Sequence, residues 1–271
     1  MNVVVSGSSG FIGSHLVVEL AERGHKVLAL SRSMGGALPS DHIQYLNWSL
    51  DQAHLELAPR AVDCAVHLAH DFNGEDGARI SVRGTLNLIE SCRRAGAKRQ
   101  IFLSSLSAHE AATSRYGCAK YEIEQQVKSM QDIVIIRPGL VLGNGGLYGR
   151  IKAWIKKFPL VPLPDGGCGS IYVIELPQLI QKTLSIMQAK ETDPFYNLFE
   201  HDPKTLREII LREASASRRN IFIINVPTKF LLRILSIFEF FKIPLPVTSD
   251  NLRGFLSNQI SSTLFHHPSP W

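Results

Sequence analysis

No apolar run in the 271-residue chain is long and pure enough to span a bilayer, which argues against a membrane-crossing protein. Cysteine is scarce. Cys64, Cys92, Cys118 and Cys168 are scattered, with no Cys-x-x-Cys pair or nearby histidine set, so they read as reduced thiols and no zinc site is expected. The terminal pair His266 and His267 has no further candidate ligands, so no metal is expected there either. The chain does not open on a basic segment followed by a signal-type apolar core, and a cytoplasmic location is expected. Charged residues are 20% of the chain and apolar residues 45%, a globular balance that excludes extended disorder. The net charge is +5, but only Arg93, Arg94, Lys98 and Arg99 cluster locally, and no nucleic-acid motif accompanies them. No nucleic-acid partner is expected, and no internal repeat or low-complexity tract is present.

What the chain does have is a first half in which short β-branched runs alternate with helical patterns, the signature of a parallel sheet wrapped by helices. The predicted strands are 2–6, 26–30, 43–46, 64–68, 100–104 and 133–137, with helices near 12–23, 80–95 and 116–130. An α/β fold of Rossmann type follows, a doubly wound parallel sheet with a smaller C-terminal lobe. The boundary is expected near residue 150, giving a nucleotide domain over 1–150 and a substrate lobe over 151–271, partly interleaved with the first. "PLVPLPDGG" reads as loop because of Pro159, Pro162 and Pro164, "LPQLIQKTLSIMQ" as helix and "PFYNLF" as a short strand.

The most informative stretch is "VVVSGSSGFIGSHLVVEL". Gly7 permits a tight turn after the strand, Gly10 lets backbone approach a pyrophosphate, and Gly13 lets the helix pack close to the sheet. The helix N-terminus at Phe11 and Ile12 then turns unpaired N–H groups and a positive dipole end toward the phosphates. Cofactor choice is read at the end of the second strand, where an acidic residue would bond a ribose 2′-hydroxyl and an arginine would accept a 2′-phosphate. Ser31 holds the acidic position and Arg32 follows, so NADP(H) is favoured, with NAD(H) left open.

In "SSLSAHEAATSRYGCAKYEIEQ", Tyr116 and Lys120 are four apart and share one helix face. An ammonium beside a phenol favours the phenolate and is expected to bring its pKa toward the working range. Ser104, Ser105 and Ser107 offer hydroxyls at the end of the neighbouring strand, and Ser105 is the choice for holding a substrate oxygen.

At these residues the chain resembles the extended short-chain dehydrogenase/reductase superfamily, in its NAD-dependent epimerase/dehydratase group. Beside "GSSGFIG" and the Ser/Tyr/Lys set stand "DCAVHLAH", "SVRGTLNLIE" and "IIRPGLVLGNG", each similar to a motif of that family. The resemblance implies that Leu68 and Ala69 line the cofactor. It also implies that Pro138 and Val141 pass its nicotinamide end, and that Lys120 bonds the nicotinamide ribose. Departures are Ser81 for an asparagine, Ser49 for an adenine-contacting aspartate, His70 for a small residue and Glu175 for an aspartate. Ten residues separate Ser105 from Tyr116 without an acidic pair, which favours reduction or epimerisation over dehydration.

The resulting expectation is an NAD(P)-dependent epimerase or reductase acting on a nucleotide sugar or similar carbonyl or alcohol. The rival is a non-catalytic NADP(H)-binding regulator or structural subunit. A homodimer is compatible with the resemblance. His67 is expected to be a packed, hydrogen-bonded histidine, His109 a residue off the chemistry and Arg137 an anchor of its strand. Phe230, Leu231, Ile234, Phe238 and Phe241 recur at helical spacing and are expected to face the core of the smaller lobe. Flanking Lys229, Arg233 and Lys242 keep open contact with a membrane surface or a partner instead.

Overall fold

The computed structural model of the chain describes residues 1–33, 40–52, 54–59 and 61–260; His266 and His267 lie outside the described residues. The first part runs β1 (Asn2–Ser6), α1 (Phe11–Glu22), β2 (Lys26–Ser31), β3 (Ile43–Asn47), β4 (Cys64–His67), α2 (Gly74–Arg94), β5 (Arg99–Leu103), α3 (Arg115–Val127) and β6 (Ile133–Pro138). It continues through β7 (Leu140–Leu142), α4 (Gly146–Lys157), β8 (Leu160–Pro164), β9 (Ser170–Ile171), β10 (Val173–Glu175), α5 (Leu176–Gln188) and β11 (Phe195–Leu198). The remainder is β12 (Lys204–Thr205), α6 (Leu206–Ala216), β13 (Phe222–Val226), α7 (Thr228–Phe240) and α8 (Ser249–Ile260).

Seven strands form one sheet in the order β11-β6-β5-β4-β1-β2-β3, and every pairing in it is parallel. Alternation along β1 divides the core. Val3 and Val5 join Leu16, Leu20, Leu179 and Leu184 under α1 and α5, whereas Val4 joins Leu30, Leu88 and Cys92 under α2. The strand order turns back on itself between β1 and β4, and a crevice opens beyond their carboxyl ends, the usual ligand position in such sheets.

Six strands were expected in the sheet; the seventh, β11, comes from "PFYNLF" and pairs with β6, Tyr196 opposite Ile136. Thus residues beyond 150 complete the seven-stranded sheet while α4, α6, α7 and α8 with three small two-stranded sheets build the other lobe. The second helix starts at Gly74, earlier than the expected residue 80. Gly74 and Gly77 disguise its first turn, where Glu75 and Asp76 favour the helix dipole.

"PLVPLPDGG" is also corrected, since Leu160–Pro164 is a strand paired in parallel with β13. The bond from Phe222 N–H to the Pro159 carbonyl aims the odd-numbered residues of this segment at β13. Pro162 and Pro164 therefore face away from the ladder, where a missing N–H costs nothing. In α7, Leu231 and Leu235 pack against Leu252, but Phe230 and Phe241 are exposed, contrary to the core-facing expectation for that stripe.

Candidate active site

The glycine loop is built by close contacts. Gly7 takes a φ of +69°, and a Cβ there would come within 2.8 Å of the Ala69 nitrogen; a Cβ on Gly13 would overlap the Gly7 carbonyl. The Ser6 hydroxyl accepts from the Leu68 and Ala69 N–H groups at 3.2 and 3.3 Å, tying the ends of β1 and β4 together. No side chain caps α1 at Gly10 and its first turn holds no acidic residue, so its N-terminus faces the crevice as an anion cradle. Phe11 has a structural partner that the sequence did not disclose. Its ring fills the turn at Gly143, Gly145 and Gly146, where a Cβ on Gly143 would lie 2.7 Å from the ring.

A cleft of about 1320 Å³ runs from this loop to the smaller lobe. Its wall includes Gly7, Gly10, Phe11, Ile12, Gly13, Arg32, Leu68, Ala69, Ser105, Tyr116, Lys120, Pro138 and Val141, so the residues singled out in the sequence meet on one surface. Ser31 is buried and donates to the Ser33 carbonyl, whereas the two-thirds exposed Arg32 guanidinium lies 3.7 Å from Asp71. Ser49 donates to Asp51, which puts a carboxylate at the cleft wall two residues from where the family pattern carries one. Ser81, which stands where the family pattern has an asparagine, accepts from Asp71 N–H and donates to the Gly77 carbonyl, both at 2.8 Å.

At the far end of the crevice, α3 starts on Ser114, whose hydroxyl accepts from Gly117 N–H at 3.0 Å. In the first turn of the helix, Tyr116 faces the cleft, whose wall also holds Ser105 together with Ser104 and Ser107. Lys120 is buried. Its Nζ donates to the Leu103 carbonyl at 2.7 Å and sits 5.8 Å from the centre of the Tyr116 ring. The expected lowering of the phenol's pKa is reversed: burial pushes Tyr116 up to about 12, against the opposing pull of the Ser105 hydroxyl. Burial brings Lys120 down to about 7. Desolvation penalises both charged forms, and the ammonium is held on a carbonyl rather than on the phenol oxygen.

Two residues over Tyr116 escaped sequence reasoning as partners. His70 meets it edge-on with ring centres 4.7 Å apart, and Phe72 stacks on it at 5.8 Å. The buried His70 Nδ1 has no hydrogen-bond partner among the described residues. Arg150 also lines the cleft and donates to the Asn251 amide oxygen at 3.4 Å, with desolvation lowering its pKa. His67 is buried and bonded to Gln100 at 2.9 Å, as expected of a packing residue. His109 is buried beside Asn258 and Arg137, off the cleft wall. Arg137 donates to Glu124 at 2.8 Å and anchors β6 to α3. Among the described residues, no group of three or more His, Cys, Asp or Glu could hold a metal, and no helix is long and apolar enough to cross a membrane.

The model of the NAD dependent epimerase/dehydratase family matches residues 3–166. The chain belongs to that family. This membership bears out the resemblance to extended short-chain dehydrogenases and, with it, an enzyme of the epimerase, dehydratase or reductase class. Among curated relatives of this epimerase/dehydratase family member, 3-diazoavenalumate denitrifying reductase of a Streptomyces species is 28% identical over 232 residues, 71% of this chain and 74% of that protein. The 2-alkyl-3-oxoalkanoate reductase of Stenotrophomonas maltophilia is 30% identical over 54% of this chain, and UDP-glucose 4-epimerase of Vibrio cholerae 27% identical over 61%. The chain spans 52% and 59% of those two proteins, about half their length. UDP-glucose 4-epimerase of Thermotoga maritima with UDP-glucose shares the fold, with a TM-score of 0.69 at 17% identity over 97% of this chain and 100% of that one. The Thermus thermophilus UDP-glucose 4-epimerase complex with NAD has a TM-score of 0.66 at 19% identity, with the same coverage.

Proposed function

We propose that the protein is an NADP(H)-preferring reductase or epimerase acting on a nucleotide sugar or similar polar carbonyl, with Ser105, Tyr116 and Lys120 as its proton-transfer set. The carrying observation is that these three side chains lie on the wall of the same cleft as the glycine cradle. The cradle fits a dinucleotide because Gly7 and Gly13 let the loop close tightly against Ala69 and the start of α1, and the first turn of α1 holds no acidic residue and no side-chain cap. Gly7, Gly10, Phe11, Ile12 and Gly13 would hold the pyrophosphate, Arg32 the adenosine ribose, Leu68 and Ala69 the middle, and Pro138 and Val141 the nicotinamide end. The bound dinucleotide supplies hydride exchange at its nicotinamide.

Tyr116, held neutral by burial, would give its proton to a substrate oxygen that gains negative charge and take it back in the reverse direction. Ser105, on the same stretch of cleft wall, would orient the same oxygen. Lys120, buried beside Tyr116 and held on the Leu103 carbonyl, would bond a ribose hydroxyl of the dinucleotide. Arg150 supports an anionic group on the substrate, since it is the cation that α4 brings to the cleft. The nucleotide-sugar assignment takes further support from UDP-glucose in the Thermotoga maritima neighbour. Residues 1–150 would form the nucleotide-binding part and 151–271 the substrate lobe, with β11 and α5 returning to the first. The protein is proposed to act in the cytoplasm.

The test is oxidation of NADPH and NADH by the purified protein against a panel of keto-sugar nucleotides. NADPH is expected to bind more tightly, and Tyr116→Phe to cut turnover by about 10²-fold or more while leaving the NADPH dissociation constant unchanged. Undiminished turnover in that variant overturns the role of Tyr116. Tight NADPH binding without oxidation against any carbonyl favours the regulator or structural-subunit reading.

A further inference from the structure

We propose that the face made by β8, β13 and α7 docks on an anionic lipid surface. The two-stranded sheet is covered on one side only. Val161 and Leu163 turn inward on Ile155 and Ile210, whereas the cross-strand neighbours Leu160 with Phe222, and Pro162 with Ile224, are exposed. β13 leads through Pro227 into α7, whose inner face packs on α8 and whose outer face carries Phe230, Ile237 and Phe240, followed by Phe241. The exposure of these rings is large: 82% for Phe240, 67% for Phe222, 66% for Phe241 and 59% for Phe230. Isolated exposed apolar residues are ordinary, but aromatic rings gathered on one helix face and the strand before it mark an interaction surface.

Charge chooses the occupant. Lys156 and Lys157 precede β8, and Arg218 and Arg219 precede β13; because the strands are parallel with Leu160 opposite Phe222, both basic pairs flank the same end of the sheet. Lys229, Arg233 and Lys242 follow along α7 and just past it, all exposed. The two segments 156–165 and 217–243 hold these seven basic residues and two acidic ones, a balance equal to the +5 of the whole chain. Both acids are engaged within the protein: Asp165 accepts from the Thr228 hydroxyl, and Glu239 accepts from Ser249 N–H and hydroxyl at 2.6 and 2.7 Å. Aromatic rings beside lysine and arginine, on a helix too short to cross a bilayer, match insertion at an anionic headgroup layer. Two-fold pairing of copies would set the same cations against one another, which disfavours self-association through this face.

The experiment is flotation of the full chain with phosphatidylcholine vesicles, with and without phosphatidylglycerol, at low and raised salt. The protein is expected to float only with the phosphatidylglycerol vesicles and to be released by salt. Replacing Phe240 and Phe241 together by serine should lower the bound fraction by about tenfold or more with the thermal transition retained. Lys156→Glu with Lys157→Glu alters only exposed positions, should weaken binding likewise, and carries the test if the serine variant does not fold. Wild-type protein left unbound on anionic vesicles overturns the proposal, as does equal flotation of all variants. A dimer in light scattering that the serine variant converts to monomer, without flotation, assigns the face to a second copy and equally overturns it.

Discussion

His67 and His70, three residues apart, illustrate how burial sets the behaviour of single side chains. Burial holds His67 at about 4 and His70 at about 3, so both are neutral in the folded protein at neutral pH. In the unfolded chain an imidazole titrates near its ordinary value. As pH falls from about 6.5 towards 4, the unfolded state takes up protons that the folded state refuses, and stability declines with acidification across that window. Urea midpoints measured across it should therefore drop, and His67→Gln, which keeps a polar partner for Gln100, should flatten the slope while leaving the His70 part. A slope identical to wild type would show that His67 does not carry it. The glycine loop was legible at this scale because φ and close approach restrict residue choice. The Phe11 contact was not, because its three glycines lie more than 130 residues downstream.

At the scale of elements, α3 is anchored from a distance. Asp250, at the start of α8, accepts from the Arg115 and Tyr116 N–H groups at 2.7 and 3.2 Å, placing a carboxylate at the positive end of the helix that bears Tyr116 and Lys120. Asp250→Ala should cost about 1 kcal/mol in denaturant unfolding. The variant should also lower turnover with little change in NADPH affinity, measured by the same oxidation assay and by fluorescence titration. Retained turnover and stability would count against this anchoring. Strands of the first half were readable to within a residue or so, because β-branched runs between turns have few other uses. β8 was not, since the rule against proline in strands assumes an N–H needed on both sides. The Phe230 and Phe241 positions misled for a related reason: helical spacing tells which residues share a face, not what covers that face.

For the whole molecule, the sheet is not contiguous in sequence. Tyr196 and Leu198 of β11 and Leu179 and Leu184 of α5 belong to the same core cluster as Val3 and Leu16. A fragment ending at residue 150 leaves β6 without its outer neighbour and that cluster half uncovered. It is expected to lack a cooperative thermal transition, whereas the full chain should show one; a cooperative fragment would mean that the first half folds unaided. The order of strands carries a consequence for biosynthesis. β1, made first, ends in the interior, and β11, made last of the seven, closes one border. A ribosome that pauses before residue 198 leaves the β6 border open, so the nascent polypeptide offers chaperones, or another nascent copy, the very edge that its own later segment is meant to occupy.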